Sequence, residues 1–319
     1  MDIEWLERAA SEFKQWQIKD IVAIQDGETK WEWHEGDGDR VSAIYSCTKS
    51  IISSLVGIAI SRGELADVQQ PLAEFFPQLE KDQDRRKLKI RLKHLLTMTP
   101  GFDWPDFDKP YWAMKRTDDA VKFILGRAMA HEPGEVFTYN SGASYLLSAI
   151  LTQATGLSVY DYAEQHLFSK LSFRKPRWNR LHGIYEGGAG LHLASKDMAK
   201  FGQLYLQGGR WQGKQLVPSS WVEDSTRERH KGLMHYEPPI FGAYGYHWWM
   251  SGQGSKAEYY FAKGYGGQYI FVVPALRLAA AIRKEATGKA DAIYSKRVLL
   301  DYLIPASSHK NAGDCQKDR

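Results

Sequence analysis

Residues 45–61 read YSCTKSIISSLVGIAIS, a short polar box followed by a strongly apolar segment. From residue 50 to residue 61 the side chains are apolar on nearly all sides with small residues interspersed, which predicts a helix buried on most of its faces. Gly63 is placed to end this helix. Ser46 and Lys49 are three residues apart where the helix begins, so we expect both side chains on one helix face and in contact.

A serine and a lysine in this setting suit nucleophilic catalysis. The N-terminus of a helix has free backbone N–H groups and the positive end of the helix dipole, which would stabilise an oxyanion formed at an acylated Ser46. An apolar environment disfavours the charged form of Lys49 and lowers its pKa from an ordinary value of about 10.4. The neutral amine can then accept the serine proton.

The Ser-x-x-Lys spacing alone is weak evidence, because short motifs of this kind recur by chance. It occurs four times in the chain: at Ser11/Lys14, Ser46/Lys49, Ser172/Lys175 and Ser307/Lys310. For an isolated pair, the ordinary interpretation is a serine that caps a helix and a lysine that extends into solvent. The pair at 46 and 49 is favoured because it precedes the predicted buried helix.

Strand-like segments at both ends of the chain flank a helical middle. Residues 21–25 and 30–34, around Asp26-Gly27, predict a β-hairpin. Later segments rich in aromatic and β-branched residues predict strands: 244–250, 258–262, 268–273 and 278–282, before a terminal helix at 288–303. Helical spacing marks the middle of the chain near 91–98, 118–126, 142–155, 159–168 and 195–207. The predicted fold class is α/β (α+β), an antiparallel sheet built from both chain termini and flanked by helices, with an inserted mainly helical region beside a cleft.

The composition is that of an ordinary globular protein: 319 residues, 43% hydrophobic and 25% charged. We expect a single catalytic domain over 1–319, with its sheet region at about 1–63 and 226–319 and its helical region at about 64–225. The net charge of +4 does not indicate nucleic-acid binding, and the two cysteines match no disulfide framework or zinc motif. Neither a membrane span nor a secretory signal is visible, so we expect a cytoplasmic protein. Separately, we expect no metal and no other cofactor.

Several segments together resemble one known family. Residues 45–50 (YSCTKS) resemble the first box of the serine β-lactamase and penicillin-binding-protein superfamily. Other segments are similar to its shared boxes in the family's order: 90–101 (IRLKHLLTMTPG), 132–141 (EPGEVFTYNS), 187–201 (which begins GGAGL and ends SKDMAKF), 244–249 (YGYHWW) and 264–268 (GYGGQ). The resemblance covers roughly residues 20 to 300, and the ordered set is far more specific than any one motif.

The resemblance implies a β-lactamase/transpeptidase-like fold and assigns the catalytic groups. Ser46 would be the nucleophile, Lys49 its activating partner and Tyr139 a proton relay to the leaving group. A cationic lysine beside Tyr139 would favour its phenolate. Outside this context, Tyr139 would be interpreted as a buried ring with a satisfied hydroxyl.

The same resemblance assigns the oxyanion site to the segment at 264–268. The backbone N–H of Tyr265 would act beside that of Ser46. Gly264 and Gly266 would allow the backbone to approach a ligand closely. The ordinary alternative is a plain bulge or turn.

Two positions depart from the family pattern. Many members have Tyr-x-Asn in the second box, whereas Ser141 holds the third position here. Ser141 is either a hydrogen-bond donor to substrate or the N-cap of the helix at 142–155. The third box, often Lys-Thr-Gly, corresponds to residues 262–264 (AKG), so the lysine is shifted by one and the hydroxyl residue is missing. Neighbouring strand residues face opposite sides, so we expect Lys263 to point away from the cleft, which weakens carboxylate recognition.

These features predict a serine hydrolase that forms an acyl-enzyme with a small-molecule ester, amide or β-lactam-like substrate. It would be a carboxylesterase, a small-amide hydrolase or a weak β-lactamase. A β-lactamase or D-alanyl-D-alanine peptidase proper is an alternative, and a non-catalytic sensor or scaffold of the penicillin-binding type is an alternative of another class. The basic segment 84–93 (DRRKLKIRLK) is more typical of a solvated surface than of nucleic-acid or membrane-surface binding. His94 and His192 are candidates for the deacylating base by position only, and nothing in the sequence indicates an oligomeric state.

Overall fold

A computed structural model describes residues 1–36, 38–105, 107–251 and 258–308. Its centre is a seven-stranded sheet with the strand order β10-β11-β12-β13-β14-β1-β2, and smaller sheets have the orders β3-β7-β4, β5-β6 and β8-β9. The strands are β1 (Ile18–Gln25), β2 (Glu28–His34), β3 (Ser42–Ala43), β4 (Arg177–Trp178), β5 (Arg180–Leu181), β6 (Ile184–Tyr185), β7 (Leu191–Leu193), β8 (Arg210–Trp211), β9 (Lys214–Gln215), β10 (Ala243–Tyr244), β11 (Trp249–Met250), β12 (Tyr260–Gly264), β13 (Gln268–Val273) and β14 (Leu278–Lys284).

Helices occupy the two ends of the chain and its long middle section. They are α1 (Ile3–Arg8), α2 (Ala10–Gln15), α3 (Thr48–Ser61), α4 (Leu92–Leu96), α5 (Lys109–Met114), α6 (Ala120–Leu125), α7 (Ser141–Thr155), α8 (Val159–Ala163), α9 (Ser195–Leu206), α10 (Ser219–Ser225), α11 (Ala292–Arg297) and α12 (Ile304–Ser308). Wider π-helical turns at Glu164–Phe168 and Val298–Leu303 continue α8 and α11.

Strands from the two ends of the chain pair inside the central sheet. β1 runs antiparallel to β14, with Ala23 opposite Ala280. Side chains alternate between the faces of a strand. Val22 therefore packs in the cluster that contains α3 and α9, while Ala23 packs in the cluster that contains α1, α2 and the C-terminal helices. The prediction of one antiparallel sheet built from both termini, with helices inserted between and flanking it, is confirmed.

The segment 244–250 differs from the prediction, because it forms two short strands rather than one. A tight turn separates β10 from β11 and is closed by a 2.9 Å hydrogen bond from the Gly245 N–H to the Trp248 carbonyl. His247 lies in this turn with a φ of 60°. A Cβ on Gly245 would come within 2.2 Å of the Ser225 carbonyl oxygen. The aromatic content of the segment predicts strand, but the turn depends on this close tertiary contact.

Helix α3 is buried along most of its length, as its sequence predicts. Its small residues allow neighbouring elements to come close: a Cβ on Gly57 would lie 2.3 Å from the Trp221 ring. The hydroxyls of Ser54 and Tyr205 are 2.8 Å apart. This packing fixes α3 in the core and thereby fixes the position of its N-terminus, where the predicted site lies.

Across the part of the chain that the structure describes, no helix combines the length and the apolar character that a membrane crossing requires. The cytoplasmic location and the assignment of residues 1–319 to a single catalytic domain stay predictions.

Candidate active site

Ser46 lies in a single 3₁₀ turn, Tyr45–Cys47, that leads directly into α3. The turn is held from both sides. The Thr48 hydroxyl donates a 2.6 Å hydrogen bond to the Tyr45 carbonyl, and the Ile44 N–H donates to the Leu191 carbonyl at 3.0 Å. Ser46 itself stays partly exposed. The predicted nucleophile is thus accessible at the beginning of a buried helix.

Lys49 is buried, and its amine lies in a polar pocket. Its Nζ is 3.0 Å from Ser46 Oγ, 2.9 Å from Ser141 Oγ and 2.6 Å from the Gly188 carbonyl oxygen. Burial lowers the pKa of Lys49 to about 8, although the nearby Asp108 carboxylate opposes the shift. Roughly a tenth of the amine is therefore neutral at pH 7. The contact predicted from the i, i+3 spacing is present in the structure.

Tyr139 is held between two aromatic rings beside this amine. Its ring stacks on Phe107 with centroids 4.9 Å apart and on Trp249 at 5.8 Å. The Lys49 Nζ is 4.8 Å from the Tyr139 centroid. Burial raises the pKa of the Tyr139 phenol well above its ordinary value, and a hydrogen bond with Ser46 only partly opposes this. Burial thus disfavours the phenolate that we expected beside Lys49, and the role of Tyr139 as a proton relay stays a prediction.

Ser141 is the first residue of α7 and does not cap it. The N-cap is Asn140, whose side chain accepts a 3.0 Å hydrogen bond from the Ala143 N–H. The capping alternative for Ser141 is therefore wrong. Its hydroxyl instead contacts Lys49.

Asp108 joins the cluster, although no motif in the sequence singles it out. Its Oδ1 accepts hydrogen bonds from the Ser141 N–H at 2.8 Å and the Trp104 Nε1–H at 2.7 Å. Its Oδ2 accepts from the Ser141 hydroxyl at 2.5 Å. Burial raises the pKa of Asp108, while the positive charge of Lys49 and these hydrogen bonds oppose the shift. Three acids occur at 103–108, and their spacing carries no motif, so only the folded chain distinguishes Asp108.

Two glycines bring the carbonyl of Gly188 to the amine. A Cβ on Gly187 would lie 2.1 Å from the Ser144 carbonyl oxygen, and one on Gly188 would lie 2.7 Å from the Ser141 Cβ. No side chain fits at either place. The glycine pair in the GGAGL segment therefore lets this loop approach α7 closely enough for the Gly188 carbonyl to reach Lys49 Nζ.

The hairpin between β12 and β13 ends beside the turn that carries Ser46. A Cβ on Gly264 would lie 2.3 Å from the Ile44 carbonyl oxygen, so only glycine permits this approach. Gly266 has a φ of 72°, in the region that favours glycine. The Tyr265 ring meets the Tyr45 ring edge-on at 5.8 Å. The structure thus brings the predicted oxyanion segment next to the Ser46 turn.

Lys263 packs among aromatic rings. Its side chain is 6% exposed, and its Nζ lies 4.6 Å from the Phe241 centroid and 5.8 Å from the Tyr269 centroid. Burial lowers the pKa of Lys263 to about 7. The preceding Ala262 packs in the other core cluster, the one that contains α3. The shift by one residue therefore places the third-box lysine on the opposite sheet face from Ala262.

Neither histidine candidate for deacylation contacts the Ser46 cluster through the hydrogen bonds described for it. His94 Nδ1 accepts from the Arg91 N–H at 3.1 Å, and burial lowers the pKa of His94 to about 4. His192 Nδ1 is 2.9 Å from the Gly190 carbonyl oxygen. Both rings thus support local backbone structure.

The basic segment 84–93 is largely paired with neighbouring groups. Arg86 binds Asp84 through two nitrogens. Lys87 is buried and binds Asp82 and the Leu125 carbonyl. These contacts hold the segment within the fold, and the expectation that it binds neither nucleic acid nor a membrane surface stays a prediction.

Residues 20–301 match the family described as Beta-lactamase. Among curated proteins, the 6-aminohexanoate-dimer hydrolase of Paenarthrobacter ureafaciens is 25% identical over 229 residues, which are 66% of this chain and 57% of that protein. The chain therefore spans less than two thirds of the length of this relative.

Two solved structures have the same architecture. A Bacillus anthracis protein provisionally assigned as a 6-aminohexanoate-dimer hydrolase has a TM-score of 0.77 at 19% identity, over 93% of this chain and 80% of that one. A Bacteroides dorei DSM 17855 protein provisionally assigned as a β-lactamase has a TM-score of 0.79 at 18% identity, over 96% and 99%. At this level of identity, the likeness establishes the fold.

Proposed function

The chain belongs to the β-lactamase family, and we propose from this that it is a serine hydrolase that cleaves esters or small amides through an acyl-enzyme. One observation carries the proposal: the buried amine of Lys49 lies 3.0 Å from the partly exposed hydroxyl of Ser46. A nucleophile within hydrogen-bond reach of a base whose pKa is lowered by burial is the arrangement that acyl transfer needs.

In the first step, neutral Lys49 takes the Ser46 proton while Ser46 Oγ forms a bond to the substrate carbonyl carbon. The carbonyl oxygen becomes an oxyanion, which the backbone N–H groups of Ser46 and Tyr265 stabilise. Removal of one such donor typically slows a reaction by about 10²–10³-fold. Tyr139 donates its phenol proton to the leaving oxygen or nitrogen as the bond to carbon breaks, and it takes up the proton that Lys49 received from Ser46, so that Lys49 becomes neutral again. Water then cleaves the acyl-enzyme ester and restores the Ser46 hydroxyl.

The pKa values favour Lys49 rather than Tyr139 as the base. Burial lowers the pKa of Lys49 to about 8, close to neutral pH. Burial raises the pKa of Tyr139 and thereby moves it further from neutral pH. An effective general base has a pKa near the operating pH. Tyr139 then acts in its protonated form, which suits a relay.

This assignment gives a prediction for the pH dependence. Only the neutral amine accepts a proton, so kcat/KM for an uncharged ester should rise by about tenfold per pH unit below pH 8 and level off above it. The measurement is kcat/KM for p-nitrophenyl acetate from pH 6 to 10, after subtraction of spontaneous hydrolysis. A profile that is flat, or that falls as pH rises through 8, would contradict Lys49 as the base.

The substrate class rests on the third box and on the relatives. The hydroxyl residue that follows the lysine in many β-lactamases is absent, and Lys263 packs against the Phe241 and Tyr269 rings. Both features favour esters and small amides over β-lactams. Two relatives are named for hydrolysis of a 6-aminohexanoate dimer, in which two amino acids are joined by an amide. This supports an amide of a short amino acid as one candidate substrate.

A panel of three compounds tests the proposed substrate class: p-nitrophenyl acetate, the 6-aminohexanoate dimer and a penicillin. Each is assayed with the wild type and with Ser46→Ala. We expect hydrolysis of the ester or the dimer that depends on Ser46, with a higher kcat/KM than for the penicillin. If the penicillin is the best substrate, the substrate class is wrong. If no compound is hydrolysed in a way that depends on Ser46, the proposed function is wrong.

A further inference from the structure

The Lys49 amine has three polar neighbours, and their hydrogen-bonding capacities differ. The Gly188 carbonyl, at 2.6 Å, can only accept. The hydroxyls of Ser141, at 2.9 Å, and Ser46, at 3.0 Å, can each donate or accept. A neutral amine has two hydrogens and one lone pair. Proton transfer from Ser46 therefore requires the lone pair to face Ser46 while both hydrogens point to the other two neighbours.

The carboxylate of Asp108 decides the direction of the Ser141 hydroxyl. An ionised carboxylate only accepts, and the Asp108 Oδ2 lies 2.5 Å from Ser141 Oγ. The single hydroxyl hydrogen of Ser141 therefore points to Asp108, which leaves Ser141 Oγ as an acceptor for Lys49. Burial raises the pKa of Asp108, but the positive charge of Lys49 and two N–H donors at Oδ1, from Ser141 and Trp104, favour its ionised form.

We infer that Asp108 is a positioning residue that orients the Ser141 hydroxyl and thereby directs the lone pair of neutral Lys49 at Ser46. The inference rests on the proposed function and deepens it. Two acceptors, the Gly188 carbonyl and Ser141 Oγ, take both amine hydrogens. Asp108 contacts neither Ser46 nor Lys49 through the hydrogen bonds described for it, so it acts through Ser141.

Asp108→Asn is the sharpest change available, because it reverses this hydrogen bond with little change in shape. Asp108 has a φ of 71°, a conformation that asparagine also tolerates. The two N–H donors at Oδ1 keep the amide oxygen on that side. The amide NH₂ then faces Ser141 Oγ and donates to it. The Ser141 hydrogen turns toward Lys49 and competes with Ser46 for the lone pair.

The test compares the acylation rate by p-nitrophenyl acetate in the wild type, Asp108→Asn, Ser141→Ala and the double variant, by stopped flow. We expect Asp108→Asn to slow acylation by about 10²-fold, within the range for loss of general base catalysis, and to change KM little. Ser141→Ala removes one acceptor for the Lys49 amine and should slow acylation by only about tenfold. Because the double variant has no competing hydroxyl, it should be faster than Asp108→Asn and close to Ser141→Ala. A residue that only supports the loop would not produce this rescue.

The pH profile gives a second readout. Among the described residues, Asp108 and Cys47 raise the pKa of Lys49, and Tyr139 and His247 are buried beside its amine. Only the first of these changes in Asp108→Asn. Loss of the carboxylate charge should therefore move the midpoint of the profile to lower pH than in the wild type.

The result that overturns the inference is a double variant as slow as the product of the two single effects, or an Asp108→Asn variant with wild-type acylation. Thermal unfolding checks each variant. If Asp108→Asn does not fold, the acylation rate of Ser141→Ala tests the inference by itself, and an unchanged rate in that variant overturns it. Ser46→Ala distinguishes a failure of the proposed function from a failure of the inference about Asp108. Activity that persists in Ser46→Ala refutes the proposed function. An inactive Ser46→Ala together with wild-type acylation in Asp108→Asn refutes only the role of Asp108.

Discussion

Replacement of Ser46 by alanine is expected to reduce ester turnover by a factor on the order of 10⁴ or more, which is the scale seen when a serine nucleophile is removed. The reason is that Ser46 Oγ forms the covalent bond to substrate in the proposed mechanism. Ser46 is partly exposed, and its hydroxyl contacts the Lys49 amine at 3.0 Å rather than a group of the apolar core. The free energy of unfolding should therefore change by less than about 1 kcal/mol.

The measurement is kcat/KM for p-nitrophenyl acetate, together with denaturant unfolding. Ser53→Ala is a matched control, because Ser53 lies in the same helix α3 and its buried hydroxyl has no partner among the described residues. We expect Ser53→Ala to keep wild-type turnover. Turnover of Ser46→Ala within tenfold of the wild type would refute the nucleophile.

Lys49→Met is expected to slow acylation by about 10²–10⁴-fold, the usual contribution of general base catalysis. Methionine fills a similar buried volume but offers no lone pair to the Ser46 proton. The rise in rate through pH 8 should disappear together with the amine. Acylation by p-nitrophenyl acetate over the pH range measures both effects.

Lys296→Met is the matched control for Lys49→Met. Burial also lowers the pKa of Lys296 to about 8, but its Nζ binds the Pro239 carbonyl rather than Ser46. We expect the control to keep acylation within a few-fold of the wild type. Equal losses in both variants would show that removal of any buried lysine, and not of this base, slows the reaction.

Stability gives an independent check on the Lys49 pKa. A lysine with a pKa of about 8 when folded and about 10.5 when unfolded binds fewer protons in the native state between these values. The free energy of unfolding should therefore rise with pH in that window because of Lys49. Lys49→Met should lack this part of the rise, and the difference between the two proteins isolates it from the contributions of other buried lysines.

The sequence could predict the parts of the site that depend on local spacing. The side chains of Ser46 and Lys49 are in contact because about one helical turn separates the two residues. The apolar residues of α3 predict the burial that lowers the pKa of Lys49. The central sheet was likewise predictable, since β-branched and aromatic runs lie at both ends of the chain. These features need only periodicity and composition.

The remaining parts depend on contacts between distant segments. Asp108 reaches Ser141 across 33 positions through a left-handed backbone turn. The Gly188 carbonyl is a backbone atom and has no side-chain signature, and its approach to Lys49 requires glycines packed on α7. The pKa of Tyr139 is set by its burial between Phe107 and Trp249, which no neighbouring residue in the sequence indicates.

An acyl-enzyme on Ser46 can be detected as an increase in intact-protein mass after brief exposure to p-nitrophenyl acetate, measured for the wild type and for Ser46→Ala. We expect a single acetyl adduct on the wild type, located in the peptide that contains Ser46, and none on the variant. An equal adduct on Ser46→Ala, or hydrolysis by the wild type with no adduct that can be trapped on the Ser46 peptide, would contradict an acyl-enzyme formed on Ser46.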